Sequence, residues 1–235
     1  TDSYSVRMGN PGLLPEYIDS YDISYQKRIK QSYFNIEAYY RQKNNKISRI
    51  QELMDDGRIL MTFDNLNKEY SFGTELSGNF RIQKWWMLYA NINFYSYNLE
   101  GDIAGVTTDL KSINYDARMN TTFLFSKNIR LQLSGFYNAP SVTAQGEREG
   151  FYFFGAAYRH ELFNKKLSVV LNVRDMFKTG NYSSTSSGEG FYSESERRRE
   201  APVITLSLSY KINNYKQKRQ ERDENMNEFD DGGMM

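Results

Sequence analysis

Alternation of apolar and polar residues is the dominant pattern of this sequence. In APVITLSLSYKI (residues 201–212) the even positions from 204 onward are apolar or aromatic, and the odd positions are mostly small and polar. A period of two predicts an extended strand whose two faces meet different surroundings. The apolar face would lie on a core in a soluble protein and would meet lipid in a membrane barrel.

Eight earlier segments show the same alternation, with no convincing helix between them. They occupy residues 17–29, 32–50, 59–82, 88–96, 113–125, 129–137, 151–162 and 166–177. With the closing segment they predict an all-β fold of about nine antiparallel strands, paired in sequence order.

The connections between these strands alternate in length. Short turns are predicted at 30–31, 83–84, 127–128 and 164–165, and longer loops at 53–58, 99–108, 141–150 and 178–200. Short turns at one end and long loops at the other are typical of an up-and-down transmembrane β-barrel. A soluble up-and-down barrel gives a similar alternation but does not require so regular an asymmetry.

Composition supports a folded β-structure in a membrane. The chain has 19 Tyr, 15 Phe and 2 Trp, which is unlike a disordered chain despite a mean hydropathy of −0.72. No apolar run reaches the length of about 18 residues that a transmembrane helix needs. Aromatic residues gather near strand ends, and Trp85 and Trp86 stand beside a short turn. They are predicted to belong to an interfacial aromatic girdle.

Charge and reactive residues argue against catalysis and against nucleic acid. The formal net charge is +1 and there is no Cys, so neither a strong basic field nor a thiolate metal site is expected. His160 is the only histidine and is interpreted as an ordinary strand residue. Asp55 and Asp56 precede a Gly, which favours a turn over a Ca²⁺ site. No enzyme activity, cofactor or metal is predicted.

Three segments carry a resemblance to a known family. GNPGLLPEY (9–17) resembles the stretch that leads into a barrel strand of TonB-dependent receptors, LNVRDMFKT (171–179) is similar to a segment of their penultimate strand, and RRREAPVITLSLSYKI (197–212) is similar to their closing strand. The likeness is closest to the outer-membrane β-barrel branch of Bacteroidetes type.

The resemblance implies a barrel of 22 strands filled by a plug. Residues 1–212 would form its C-terminal part, an open half-barrel, and residues 213–235 a flexible periplasmic tail. The closing strand and assembly signal would comprise Ile204, Leu206, Leu208, Tyr210 and Ile212. The family's terminal aromatic residue is absent here, and Tyr210 would serve in its place.

Charged and amide side chains on the polar faces are candidates for contacts with the lumen or the plug. They are Arg118, Arg130, Asn172, Arg174 and Asp175. Asn172 and Asp175 fit equally well a role in fixing the bend where a strand gives way to a loop. The run Arg197–Arg199 is interpreted as a solvated loop, with contact to an anionic ligand or lipid phosphate as the alternative.

The function that the resemblance implies is ligand import across the bacterial outer membrane. Its partners would be outer-membrane lipid, the plug and first barrel half that this chain lacks, the TonB complex reached through those parts, and a surface lipoprotein. A stand-alone small outer-membrane barrel with a structural or adhesive role is the alternative. The chain starts at Thr1 without an initiator Met, so it is either a mature protein or part of a longer one.

Overall fold

The computed structural model describes residues 4–103 and 106–212, so the predicted tail at 213–235 lies outside the described residues. The described part contains only β-strands, turns and loops. In chain order the strands are β1 (Ser5–Arg7), β2 (Tyr17–Ile29), β3 (Ser32–Leu53), β4 (Ile59–Gln83), β5 (Trp86–Ile103), β6 (Val106–Leu124), β7 (Ile129–Asn138), β8 (Ser141–Thr143), β9 (Gly146–Arg148), β10 (Phe151–Leu162), β11 (Leu167–Arg174), β12 (Tyr182–Gly188), β13 (Phe191–Arg197) and β14 (Val203–Tyr210).

Nine long strands form one antiparallel sheet in sequence order. The order is β2-β3-β4-β5-β6-β7-β10-β11-β14, which confirms the predicted strand number and pairing. The short β1 pairs in parallel with the start of β4. The sheet is not closed in the described part, and β2 and β14 are its two edges.

Three of the four predicted long loops contain β-strands. Residues 99–108 continue the β5–β6 hairpin, with β5 reaching Ile103 and β6 beginning at Val106. The segments 141–150 and 178–200 contain β8, β9, β12 and β13, which pair into a second sheet. We call this second sheet the cap sheet. Its strands are short and rich in Ser and Gly, so they carry no apolar alternation that would reveal them.

The main sheet has one bare apolar face, which we call the outer face. Phe72, Phe94 and Ile113 lie on it, in strands with neighbours on both sides, and are 63 %, 53 % and 63 % exposed. Directly opposed pairs such as Leu171–Leu206 continue it to the sheet edge. The other, polar face, which we call the inner face, is the one that the cap sheet covers. A second sheet packed on the outer face, as a soluble sandwich requires, does not occur within the described residues.

The two ends of the sheet differ as predicted. At the short-turn end, β2–β3 and β10–β11 are joined through residues with positive φ, which are Lys30 at 54° and residues 163–165 at 51° to 67°. Such left-handed residues let a tight turn match the twist of the strands that it joins. At the long-loop end lie the β3–β4 turn, the β7–β10 and β11–β14 connections and the cap sheet.

The GNPGLLPE stretch connects β1, which pairs with β4, to β2, which pairs with β3 on the side away from β4. Asn10 Nδ2 donates to the Phe63 carbonyl at 3.0 Å, and the Asn65 side chain accepts from Leu14 N at 2.7 Å and donates to the Leu14 carbonyl at 3.1 Å. Glu16 Oε2 then accepts from the Ile47 backbone N–H at 3.1 Å. The conspicuous residues of this motif therefore hold the chain as it enters β2.

Asn45 changes the phase of alternation within β3. Its φ is +54°, a conformation that Asn tolerates better than most residues. Lys43 and Lys46, three residues apart, both reach Glu69 as a result. Beyond this point Ile50 and Leu66 are buried with Leu99. A strict period of two therefore fails for the upper part of β3, although the strand itself is continuous.

Asp175 closes the loop after β11 and does not project from the inner face. Its φ is +50° and its side chain is 9 % exposed. Oδ1 accepts from Thr179 N at 2.9 Å and Oδ2 from Gly180 N at 3.0 Å. Of the two roles left open for Asp175, these bonds support the one that fixes the bend. Asn172 lies three residues earlier, on the inner face of β11.

Candidate functional site: a chamber under the cap sheet

Gln145, in the loop between β8 and β9, fastens the cap sheet to β3. Gln145 Oε1 accepts from the Gln51 backbone N–H at 2.7 Å, and Gln145 Nε2 donates to the Gln51 carbonyl at 2.8 Å. The side-chain amide thus pairs with a backbone amide as a neighbouring strand would. The bond pair joins residues 94 positions apart in sequence, so it ties the β7–β10 connection across to a distant strand.

A small hydrophobic cluster lies beside this clamp. Ile50, Leu66 and Leu99 are each 1–2 % exposed, and Tyr97, Leu110 and Ala144 pack against them. Ala144 belongs to the loop between β8 and β9, so the cluster includes both the main sheet and the cap. On the other side of the cap, the rings of Phe151 and Tyr182 lie 4.3 Å apart between centroids.

A polar chamber of about 520 Å³ lies between the inner face and the cap sheet. The main sheet contributes Lys46, Glu69, Tyr95, Tyr97 and Asn114, and the cap contributes Thr143, Arg148 and residues 184–186. A second cavity of about 1160 Å³ adjoins it, between Leu53 and Phe191. Gln51 and Gln145 line both cavities, so the clamp stands between them.

Glu69 is the buried charge of the chamber and is fully engaged. It is 7 % exposed, and Lys43 Nζ lies 2.7 Å from Oε1 while Lys46 Nζ lies 3.6 Å from Oε2. Tyr97 OH donates to Oε2 at 3.4 Å. A buried carboxylate needs such partners because desolvation penalises its charge. Glu69 therefore organises the floor of the chamber, and Lys46 extends the network to Glu16 at 3.7 Å.

Other polar groups at the chamber remain available to a ligand. Arg148 is exposed and forms no ion pair within the described part of the chain. Gln51 Oε1 is buried and has no hydrogen-bond partner among the described residues. Leaving a buried acceptor unpaired costs about 1–3 kcal/mol, so a donor from water or ligand is expected there. The chamber is therefore suited to a polar ligand that carries several hydroxyl or amide groups.

Below the chamber, hydrogen bonds link polar residues across the inner face. Tyr39 OH donates to Asn93 Oδ1 at 3.0 Å, Asn93 Nδ2 to Asp116 Oδ2 at 3.2 Å, and Asn91 Nδ2 to Glu75 Oε1 at 2.7 Å. Gly73 makes room for this arrangement, because a Cβ there would lie 2.7 Å from the Tyr39 ring and hydroxyl. The inner face is therefore an ordered polar surface.

The predicted lumen residues other than Asp175 share this face. Arg118 stacks its guanidinium 5.5 Å from the centre of the Phe136 ring, and Arg130, Asn172 and Arg174 lie on β7 and β11 at inner positions. They occupy the half of the sheet from β6 to β14, away from Glu69. The structure therefore places them on one face but does not gather them into a compact site.

The predicted closing strand and Trp pair lie on the outer face. Ile204, Leu206, Leu208 and Tyr210 are 60–67 % exposed on β14, and Ile212 follows the strand end. Trp86 Nε1 donates to Thr121 Oγ1 at 2.8 Å, and Trp85, Trp86 and Phe123 stack with centroids about 6 Å apart. This aromatic cluster stands at the β4–β5 turn, the position that the sequence predicts for a girdle.

The contacts of the remaining candidates, His160 and Asp56, match structural roles. His160 lies on the outer face of β10, with Nδ1 3.5 Å from Tyr158 OH. Asp56 accepts from Arg58 N, Nε and Nη2 in the β3–β4 turn, and the Arg58 guanidinium lowers the pKa of this carboxyl. Within the described residues no group of three or more His, Asp and Glu side chains could hold a metal ion.

Sequence reasoning did not identify Gln145, Glu69 or Asn114 as site residues. Gln145 stands in a Gly-containing loop, where an amide is unremarkable. Glu69 and Asn114 are polar positions of alternating strands, and their burial depends on a cap sheet that the pattern does not reveal. Their burial could not be predicted from the local sequence, because the segment that covers them is distant in the chain.

A sheet of long antiparallel strands with a bare apolar face and an ordered polar face is the wall of a β-barrel membrane protein. A family model described as "Outer membrane protein beta-barrel family" matches residues 1–210. The chain therefore belongs to this family, which places it in the bacterial outer membrane. Comparisons with curated proteins and with solved structures return no match. Within the described residues, no helix is long and apolar enough to cross a membrane.

Proposed function

We propose that this chain is the C-terminal part of the barrel of a TonB-dependent outer-membrane receptor that imports a ligand. The observation that carries the proposal is the capped chamber, in which two long loops fold over the inner face and enclose polar groups at the long-loop end. In this proposal the long-loop end is extracellular and the short-turn end is periplasmic. The ligand binds in the chamber before it passes along the inner face.

The direction of the edge strands supports a larger barrel. Both β2 and β14 run from the long-loop end to the short-turn end, because eight reversals of direction, an even number, separate the first of the nine antiparallel strands from the last. Closing the sheet on itself would need a parallel pair between these edges. Bacterial single-chain barrels have an even number of antiparallel strands. We therefore propose that further strands complete the barrel, and that a plug within it contacts the TonB complex.

The chamber also suggests where a surface lipoprotein would act. The cap sheet and the β3–β4 turn form the long-loop end, so a lipoprotein that delivers ligand would contact these segments. Arg197–Arg199 follow β13 at this end, and Arg199 stacks 5.1 Å from the Tyr182 ring centre. In the proposal this run contacts the lipoprotein or lipid phosphates from the cap side.

A stand-alone small barrel with a structural or adhesive role is the competing function, and disulfide mapping separates the two. The sequence has no Cys, so paired Cys variants report only the chosen sites. Leu206→Cys is combined in turn with Tyr21→Cys, Ile23→Cys and Tyr25→Cys on β2. A larger barrel gives no cross-link in any pair, whereas self-closure brings at least one pair together. Leu171→Cys with Leu206→Cys, directly opposed on β11 and β14, is the positive control.

Import itself is tested by growth on a panel of defined nutrient sources. Strains that lack the gene and strains that lack TonB should share one nutrient-specific defect. Complementation with Arg148→Glu, which alters the chamber, should restore growth poorly, and Arg28→Glu, an exposed position at the short-turn end of β2, should restore it fully. A defect in detergent resistance on every nutrient, with no match to the strain lacking TonB, would favour the structural role.

A further inference from the structure

Each of the four short turns carries lysine, and none of them carries an acidic residue. The turns are residues 30–31, 84–85, 125–128 and 163–166, and their lysines are Lys30, Lys84, Lys127, Lys165 and Lys166. Three of the turns also carry a large exposed aromatic side chain, which is Trp85, Phe125 or Phe163. The short-turn end is therefore a rim of cationic and apolar side chains.

The connections at the long-loop end differ, because they mix both signs of charge. Asp56 is paired with Arg58 in the β3–β4 turn, and Glu196 is paired with Arg198 at the end of β13. Among the turn lysines, Lys165 alone has an ion pair within the described residues, at 3.8 Å from Glu161. The other four lysines are therefore available to an anion from outside this wall.

A notch of about 490 Å³ lies between two of these turns. It arises because β4 continues to Gln83, past Tyr33–Asn79, the last pair that it forms with β3. The notch is lined by turn lysines and by apolar side chains of the outer face, among them Lys30, Lys84, Ile29, Phe34, Phe80 and Ile82. It is thus continuous with the face that contacts lipid.

The two sides of the notch are tied together without the lysines. The Arg81 backbone N–H donates to Ser32 Oγ at 2.9 Å, and Arg81 Nη1 donates to Gln31 Oε1 at 2.5 Å. The amino groups of Lys30 and Lys84 form no hydrogen bond or ion pair within the part of the chain that the structure describes. A preformed notch therefore presents two unpaired ammonium groups beside an apolar surface.

Lys27 indicates the depth at which this notch meets the membrane. It lies on the outer face of β2, directly opposite Phe34. A lipid-facing lysine costs little near the membrane boundary and much more at mid-membrane, because near the boundary its ammonium reaches the headgroups. The notch therefore lies at headgroup level. Outer-membrane barrels have short periplasmic turns, so the headgroups concerned are those of the periplasmic leaflet.

We propose that the notch binds one anionic phospholipid of the periplasmic leaflet, whose phosphate Lys30 and Lys84 hold and whose acyl chain lies on the apolar side chains. Each ammonium offers three donors to the phosphate oxygens. Phe34, Phe80 and Ile82 favour a lipid over a soluble polyanion, because a polyanion would leave these side chains uncovered. The inference goes beyond import and holds whether or not the chain imports a ligand.

Quenching of Trp85 fluorescence by brominated lipid tests the site, because Trp85 directly follows Lys84. The full-length protein and its Trp85→Phe variant are placed in phosphatidylcholine vesicles with brominated phosphatidylglycerol or brominated phosphatidylethanolamine of the same acyl chains. The difference in emission between the two proteins is the Trp85 signal. Phosphatidylglycerol should bind beside Trp85 at least about fivefold more strongly, the contribution of one lysine near anionic headgroups. Equal quenching would overturn the proposal and favour a soluble polyanion as the partner.

Removal of lysines then tests the notch itself. Lys30→Gln with Lys84→Gln should abolish the preference for phosphatidylglycerol. Lys165→Gln with Lys166→Gln removes the same charge from a turn that does not line the notch, and this control should retain the preference. The heat-modifiable folded band checks the folding of each variant. A preference that survives the first pair of changes, or that both pairs reduce equally, would show diffuse attraction to the rim and would overturn the proposal.

Discussion

At the residue scale, a few side chains hold the irregular parts of this fold, and Asp175 is the clearest of them. It ends β11 with a left-handed backbone, and its carboxylate accepts two backbone N–H groups of the loop that leads into the cap sheet. Gly180, one of the two donors, is itself buried. A Cβ at Gly180 would lie 2.8 Å from Asp175 Oδ2, so the loop has little freedom to rearrange.

Replacing Asp175 by Ala should destabilise the loop by about 1–3 kcal/mol, because at least one buried donor loses its acceptor. Asp175→Asn is the control, since Asn tolerates the left-handed backbone and retains one oxygen. The urea midpoint of the full-length protein in lipid vesicles should fall in the order wild type, Asn variant, Ala variant. An Ala variant as stable as the wild type would show that these bonds contribute nothing.

At the element scale, the cap sheet depends on a close approach of β9 to β12. A Cβ on Gly146 would lie 2.3 Å from the Thr185 carbonyl oxygen and 3.0 Å from the Ser186 Cα. These are backbone atoms of a paired strand, so neither side can move away without breaking the sheet. A single methyl group added at Gly146 should therefore separate β9 from β12 within the cap sheet.

Gly146→Ala should cost the cap about 1–3 kcal/mol through overpacking. Trypsin should then cleave after Arg148 faster than in the wild type, because proteolysis follows the population of the open form. Gly9→Ala is the control, since nothing lies within 4 Å of a Cβ there. Unchanged cleavage in the Gly146 variant would contradict the close packing of β9 on β12.

The closing strand gives a second prediction at this scale. Leu206 and Ser207 are neighbours on β14 that point to the outer and inner faces. A charge on the lipid-facing side near mid-membrane costs about 2–4 kcal/mol, whereas lumen positions tolerate it. Leu206→Arg should thus reduce the heat-modifiable folded band in outer-membrane fractions, and Ser207→Arg should reduce it much less. Equal losses for the two variants would contradict the assignment of faces.

The long strands were predictable from sequence because one face of each must be apolar over its whole membrane span. That requirement produces a period of two in the sequence, as at Ile92 and Phe94. The cap strands have no such requirement, since Ser183 to Ser187 pair through their backbones with little apolar burial. Asn45 was also missed, because a single left-handed residue changes the alternation without leaving a compositional mark.

The same distinction explains what could be foreseen of the site. Arg118, Arg130, Asn172 and Arg174 were assigned to the polar face because alternation fixes the face of every residue in a regular strand. The chamber was not foreseen, because its floor at Glu69 and its roof at Arg148 come together only when the cap folds over the inner face, where the Gln145–Gln51 clamp and Ala144 hold it. Contacts between residues so far apart in sequence depend on the tertiary fold of the loops.

At the scale of the whole molecule, the main sheet separates two different surroundings. Its outer face exposes large apolar side chains that would be unfavourable in water, and its inner face carries hydrogen-bonded polar groups and the cap. Family membership places this wall in the outer membrane. The central claim is therefore that lipid contacts one face of every long strand, while the other faces an aqueous or protein-filled interior.

Spin labelling along alternate positions tests this claim most directly. Single Cys variants at Asn91, Ile92, Asn93 and Phe94 on β5, and at residues 204–209 on β14, are labelled in vesicles of the full-length protein. Collision with oxygen, which concentrates in lipid, should be high at Ile92, Phe94, Ile204, Leu206 and Leu208 and low at the positions between them. Collision of the labels with a polar nickel chelate should not be high at these apolar positions. Accessibility without a period of two, or with its phase reversed, would contradict the account.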